Sequence, residues 1–172
     1  MARSLVVTLV AQDAPGIVDR VSSVVRASGG NWEESRMSRL SGFFAGILRV
    51  TLPPSQIGTL KDGLAAIEVL TVDVHDAGDA TGREHVREVA ARVSVVGNDR
   101  AGIVEQIFGA LASLGVNVEE LETERSDAPY AGSTLFHARA SLCLPEGVDT
   151  DDVAGALEDI APDLMVDVER DS

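Results

Sequence analysis

The chain has 172 residues, 45% of them hydrophobic, enough to bury one ordinary core or two small ones. Only 3% are aromatic, which leaves core filling to Val, Leu, Ile and Ala. Twenty-eight acidic against 14 basic residues give a net charge of −14, and no two basic residues are adjacent, which argues against a nucleic-acid face or an anionic-lipid surface.

In chain order, Leu5 to Val10 is a short β-branched run and predicts a buried strand. Asp13-Ala14-Pro15-Gly16 follows as a turn, with Asp13 placed to cap it and Pro15 to set φ for a first helical turn. Ile17, Val21, Val24 and Val25 recur at helical spacing, and Gly29-Gly30 stops that helix. Asn31 to Leu40 predicts a half-exposed strand, Gly42 a hairpin tip, and Phe43 to Leu52 a stronger strand. Pro53-Pro54 ends that strand and opens a second helix over Gln56 to Ala66, with Leu60, Leu64 and Ile67 on one face. Leu70 to Val74 is the last strand, and Asp76 to Gly82 has linker composition.

The remainder of the chain repeats the first part. At an offset of 86, Val7 meets Val93, Asp13 meets Asp99, and Gly16-Ile17-Val18 meet Gly102-Ile103-Val104. Gly29 meets Gly115, Asn31 meets Asn117, and Glu33-Glu34 meet Glu119-Glu120. Leu52-Pro53 then matches Leu144-Pro145 at an offset of 92, so the second copy carries six extra residues, placed in Ser126 to Gly132. The expected organisation is a first module over 1–76, a linker over 77–87 and a second module over 88–172. The order βαββαβ in each predicts an α+β fold: two ferredoxin-like modules in tandem, with antiparallel sheets carrying helices on one face. The other face stays free or packs against a partner. Modules with uncovered faces and open edges are expected to pair side by side, and the chain to form a homodimer.

The informative signal is the turn, DAPGIV at 13–18 and DRAGIV at 99–104. Each follows a strand and opens a helix. A glycine admits close approach to the backbone, the first helical N–H groups lack partners, and the helix dipole adds positive charge. That combination accepts a carboxylate. The candidate ligand-binding residues are therefore Asp13, Pro15, Gly16 and Ile17, with Asp99, Gly102 and Ile103 in the second copy. Asn31 and Asn117, just past each helix, offer amides for the ligand's polar groups. The alternative is that the glycine merely tightens a strand-to-helix corner.

Elsewhere the sequence lacks catalytic constellations. His75, His85 and His137 have no metal-ligand spacing with one another or with Cys143. The adjacent pairs Glu33-Glu34 and Glu119-Glu120 point to opposite faces of a strand and form no carboxylate dyad. Neither a P-loop, a dinucleotide fingerprint nor a nucleophile elbow occurs, so no enzyme, cofactor or metal is expected. Trp32 reads as a packing residue at a core edge or an interface. The single Cys143, in the run LCLP, reads as a small core residue and rules out an internal disulfide. The opening MARSLVVTLVAQD has too short an apolar run for a signal or a membrane span, and with the lone cysteine it suggests a cytoplasmic protein.

The strand, the D-x-[PA]-G-I-V turn, the helix and the G-x-N start of the next strand resemble the ACT domain. The stretch GGNWEESRMSRLSGFFAG is similar to the G-x-N-[IW]-E-[DE]-S-R-M segment of the glycine cleavage system transcriptional repressor family, whose members are two such domains and little else. The resemblance runs over almost all of the chain. It implies amino-acid binding near the turn, at module interfaces, and regulation of glycine metabolism through a partner protein. The second copy departs from the pattern, with Ala101 where the motif prefers Pro and with the six-residue insertion. With no helix-turn-helix in sight, any repressor role would be indirect. Formyltetrahydrofolate deformylases and phosphoserine phosphatases carry similar N-terminal modules, but no catalytic domain is recognisable here. The competing reading is a ligand-free interaction scaffold.

Overall fold

The computed structural model describes residues 1–79, 91–127 and 133–170. They divide into two units, Met1–Glu84 and His85–Ser172, each with its own core. The first unit runs β1 (Arg3–Gln12), α1 (Ile17–Ala27), β2 (Asn31–Leu40), β3 (Phe43–Leu52), α2 (Ile57–Ala65) and β4 (Leu70–Asp79), with a 3-10 turn at Pro54–Gln56 leading into α2. The second runs β5 (Ala91–Asn98), α3 (Ile103–Ser113), β6 (Asn117–Asp127), β7 (Thr134–Cys143), α4 (Thr150–Glu158) and β8 (Met165–Arg170). The sheets are antiparallel, in the orders β2-β3-β1-β4 and β6-β7-β5-β8. These are the two ferredoxin-like modules expected.

Alternation along the central strands explains the layering. Leu5, Val7, Leu9 and Ala11 of β1 and Leu48, Val50 and Leu52 of β3 are buried. Against them lie Ile17, Val21 and Val25 of α1 and Leu60 and Leu64 of α2, which also forms the first core. Trp32 packs at its edge. The second core repeats the plan with Val93, Val95, Ile103, Ile107, Leu111, Val153 and Leu157. Each fully buried aliphatic side chain contributes roughly 1.5–3 kcal/mol of transfer free energy. Cys143 is buried, as a small apolar residue should be.

The β2–β3 hairpin closes with a two-residue loop, Ser41 and Gly42, both at positive φ (49° and 81°). That geometry matches the twist of the flanking strands. The predicted last strand of the first module, Leu70–Val74, extends through β4 to Asp79, into the segment with linker composition. Its polar residues are used in pairing: Arg3 Nη2 donates to Asp76 at 2.5 Å, and Gly78 N–H donates to the same carboxylate at 2.9 Å. The rest of the expected linker, and most of the six-residue insertion between β6 and β7, lie outside the described residues. Among the described residues no helix is long and apolar enough to cross a membrane.

Candidate ligand site at the strand-to-helix turns

The turn after β1 is built by backbone hydrogen bonds. Asp13 N–H donates to Gly42 C=O at 2.9 Å, which ties the turn to the hairpin tip. Gly16 caps α1 with φ 86° and ψ 7°, a left-handed conformation that costs an L-residue roughly 1–2 kcal/mol. A Cβ on Gly16 would meet no heavy atom within 4 Å, so backbone conformation, not close approach, requires the glycine. Arg20 N–H donates to Gly16 C=O at 3.0 Å as the first helical bond. The N–H groups of Ile17, Val18 and Asp19 precede it and have no partner within the helix.

The second turn repeats this geometry. Asp99 N–H donates to Thr134 C=O at 2.8 Å, Gly102 has φ 83°, and Gln106 N–H donates to Gly102 C=O at 3.0 Å. Here Ile103 N–H also donates to Arg100 C=O at 3.3 Å, so one helical donor is already engaged.

Asp13 does not cap α1, which has no side-chain cap. Its carboxylate instead meets Arg39 Nε of β2 at 2.6 Å, and Asp99 meets Arg125 of β6 at 2.7 Å in the same way. Pro15 lies in the turn ahead of the cap, because the left-handed Gly16 delays the helix to Ile17. Beside each turn is a surface depression. The first, about 280 Å³, is lined by Asp13, Ala14, Gly16, Ile17, Val18, Asp19 and Phe44. The second, about 430 Å³, is lined by Asp99, Gly102, Ile103 and Val104 and also by Arg100, Thr123, Glu124, Arg125 and Phe136. Two guanidiniums and two carboxylates therefore border the second depression.

The two asparagines are placed elsewhere. Asn31 pairs with Thr51 and Asn117 with Cys143, whereas the turns abut the opposite strand ends, Gln12 beside Phe43 and Asn98 beside Leu135. Nine residue steps, roughly 30 Å, separate Asn31 from Leu40 at the turn end of β2. Within a module neither asparagine reaches its own turn. Each belongs instead to a bulge. Both edge strands shift register at this point, at Trp32/Glu34 and at Val118/Glu120. Asn31 Nδ2 donates to Glu33 Oε1 at 2.7 Å, Thr51 Oγ1 donates to the same oxygen at 2.7 Å, and Asn117 donates to Glu119. The Thr51 hydroxyl first, then the Asn31 amide, hold the Glu33 carboxyl below its usual pKa. The Asn-x-Glu spacing present in both copies is the sequence signal for this bulge.

One residue near the second turn escaped the sequence reading. Asp163 accepts from Asn98 N–H at 3.0 Å and from Asn98 Nδ2 at 3.1 Å, and lies 3.7 Å from Arg100 Nη1. The Asn98 backbone N–H is the chief cause of its lowered pKa. Nothing local marks Asp163, since only the β5–β8 pairing brings it to Asn98.

The ACT domain family model matches residues 3–75, the whole β1–α1–β2–β3–α2 stretch and half of β4. The first module is an ACT domain. The second repeats its element order, strand order and left-handed glycine turn, making the chain a tandem of two ferredoxin-like modules. ACT domains are regulatory, amino-acid-sensing modules rather than catalytic ones. An unknown protein from Galdieria sulphuraria has the same fold along its whole length, with a TM-score of 0.85, 29% identity and 100% of each chain covered. A proposed glycine cleavage system transcriptional repressor aligns with a TM-score of 0.71 and 18% identity over 99% of each chain, a likeness of fold. No curated protein sequence matches this chain.

Proposed function

We propose that this protein is a cytoplasmic amino-acid sensor, in which a small amino acid sets its carboxylate on the N–H groups opening α1 or α3 and a partner protein reads the occupied form. The observation that carries this reading is the doubled turn: in both modules a left-handed glycine opens a helix beside a surface depression. Those N–H groups and the helix dipole suit an anion. Arg100 and Arg125 beside the second turn suit it further, although each already faces a carboxylate. Glycine and one-carbon metabolism is the setting we assign, from the likeness of the 29–46 segment to the glycine cleavage repressor family. Action through a partner protein, rather than on DNA, fits the net charge of −14.

The test is a thermal-shift panel of the twenty amino acids. A ligand at 100 times its dissociation constant stabilises by about 2.7 kcal/mol, which for a chain of this size is roughly 5–10 °C. Gly16 is unsuited to mutation because of its φ. Val18 and Val104 are better: both border the depressions, and both are about half exposed, at 45% and 44%. Val18→Glu and Val104→Glu place a carboxylate at the helix start, where the dipole favours it and a ligand carboxylate is repelled. Each variant is expected to abolish the shift from its own module. If no amino acid shifts the wild type at millimolar concentration, the scaffold reading replaces this one. A shift that survives in the double variant places the ligand elsewhere.

A further inference from the structure

We propose that two copies of this chain associate through the open face of the first sheet, packed face to face about a twofold axis that runs along the strands midway between β1 and β3. Leu5, Val7 and Leu9 of β1 and Leu48 and Val50 of β3 point to the helices, so the alternate residues form the other face. Its central strands are apolar yet uncovered: Val10 is 45%, Ile47 47% and Phe43 50% exposed. A contiguous patch of this kind marks a contact surface. Four strands of ten residues cover a flat area of roughly 650 Å². Two such faces together give about 1,300 Å², within the range of stable protein interfaces.

Charge selects a second copy as the occupant and fixes the axis. Cross-strand pairing sets the face in rows, read in the order β2-β3-β1-β4. One row is Glu34, Arg49, Val6 and His75, and the next is Arg36, Ile47, Thr8 and Asp73. An axis along the strands turns each row back on itself, laying β2 over the partner's β4 and β1 over the partner's β3. Arg36 then comes over the partner's Asp73. Glu34 comes over the partner's His75, an acceptor facing a ring that can donate. Thr8 lies over the partner's Ile47 in the middle. Packed sheets stand about 10 Å apart with strands within about 30° of parallel, a gap that a guanidinium and a carboxylate reaching from opposite sides can close. An axis across the strands, centred on the same row, would instead stack Asp73 on the partner's Asp73.

The second module shows why the first is the one used. Its rows are Glu120, Ser141, Arg92 and Glu169, then Glu122, Arg139, Ser94 and Asp167. The same operation there sets Glu120 over Glu169 and Glu122 over Asp167, carboxylate against carboxylate in every pair. That face repels its own copy. The association does not rest on the ligand reading and is measured without ligand.

Sedimentation velocity and light scattering on the full chain, from low to high micromolar, are expected to show a species of twice the 18.1 kDa chain mass. Asp73→Arg and Arg36→Asp each turn two opposite-charge contacts into like-charge ones, and each should weaken association about tenfold or more. The double variant Arg36→Asp/Asp73→Arg restores opposite charges and should restore the dimer. Val10→Lys, in the apolar middle, should leave a monomer over that range, whereas Glu122→Arg in the second module should change nothing. Circular dichroism confirms the fold in each variant. A monomer of the wild type at every concentration overturns the proposal. So does a dimer that Asp73→Arg and Val10→Lys leave as tight as before, since it is held by a sheet edge or another surface. A double variant that stays weakened, or a dimer lost in Glu122→Arg, overturns it as well.

Discussion

The two modules share a strand order, a core plan and a left-handed glycine turn, yet their open sheet faces differ sharply. In the first, Val6, Val10, Ala45 and Ile47 line the face away from the helices, with Val10 and Ile47 nearly half exposed. In the second, the corresponding rows keep Val96 but hold Arg92 for Val6, and His137 and Arg139 for Ala45 and Ile47, beside the Glu120-Glu122-Glu124 ladder where the first has Glu34 and Arg36, and Glu124 reaches Arg139. Both copies meet the same folding requirements on the helix side of the sheet, where volume and apolarity are constrained. On the open side the constraint is solvent or a partner, and there the copies have diverged. The repeat therefore keeps the scaffold, while the first module's open face is the more apolar and the second's the more charged.

The largest expected effects test whether the cores are separate. Leu64→Ala in the first module and Leu157→Ala in the second remove fully buried side chains, at a cost of about 2–5 kcal/mol each. Hydrogen exchange should accelerate in the altered module alone. Acceleration in both would show that the cores unfold as one.

Next come the glycines. Gly16→Ala and Gly102→Ala each force an L-residue to a φ above 80°, and each should destabilise by roughly 1–2 kcal/mol in chemical denaturation. Both sites have open space for the added methyl, so equal costs are expected, and a much larger loss at either would reveal a contact particular to that module.

A helix cap separates the copies more finely. The Asp149 carboxylate accepts from the N–H groups of Asp151 and Asp152 at 3.0 Å, and Asp152 returns a bond to Asp149 N–H, whereas α2 has no side-chain cap. Asp149→Ala should lower second-module stability by about 1 kcal/mol. The first-module counterpart has no cap to lose.

The smallest effect is acid sensitivity. Asp76 is held below its ordinary pKa chiefly by the Arg3 guanidinium, and Asp163 chiefly by the Asn98 N–H. Because the folded pKa is depressed, each contribution is fully present above the unfolded value of about 3.9 and is lost as pH falls through the lower folded value. The melting temperature should therefore fall below about pH 4. Asp76→Asn should flatten that fall in the first module and Asp163→Asn in the second, as followed by NMR titration of module-specific amides.

Much of the fold was legible before any coordinates. The repeat at 86 residues, the βαββαβ order, the β2 and β3 boundaries and the hairpin at Gly42 all follow from local pattern, because side-chain period and turn chemistry act over a few residues. The turn was legible too, but its details were not. That Gly16 is required by φ rather than by space shows only in the folded backbone, and that Asp13 pairs with Arg39 instead of capping α1 depends on β3 pairing with both β1 and β2, which brings the end of β2 to the turn. The distance from Asn31 to Gly16 depends on strand direction: they are 15 positions apart in sequence, while the antiparallel order sends them to opposite ends of the sheet. Asp163 shows the limit most plainly. It is 65 residues from Asn98 along the chain, and only the long-range β5–β8 pairing makes them neighbours.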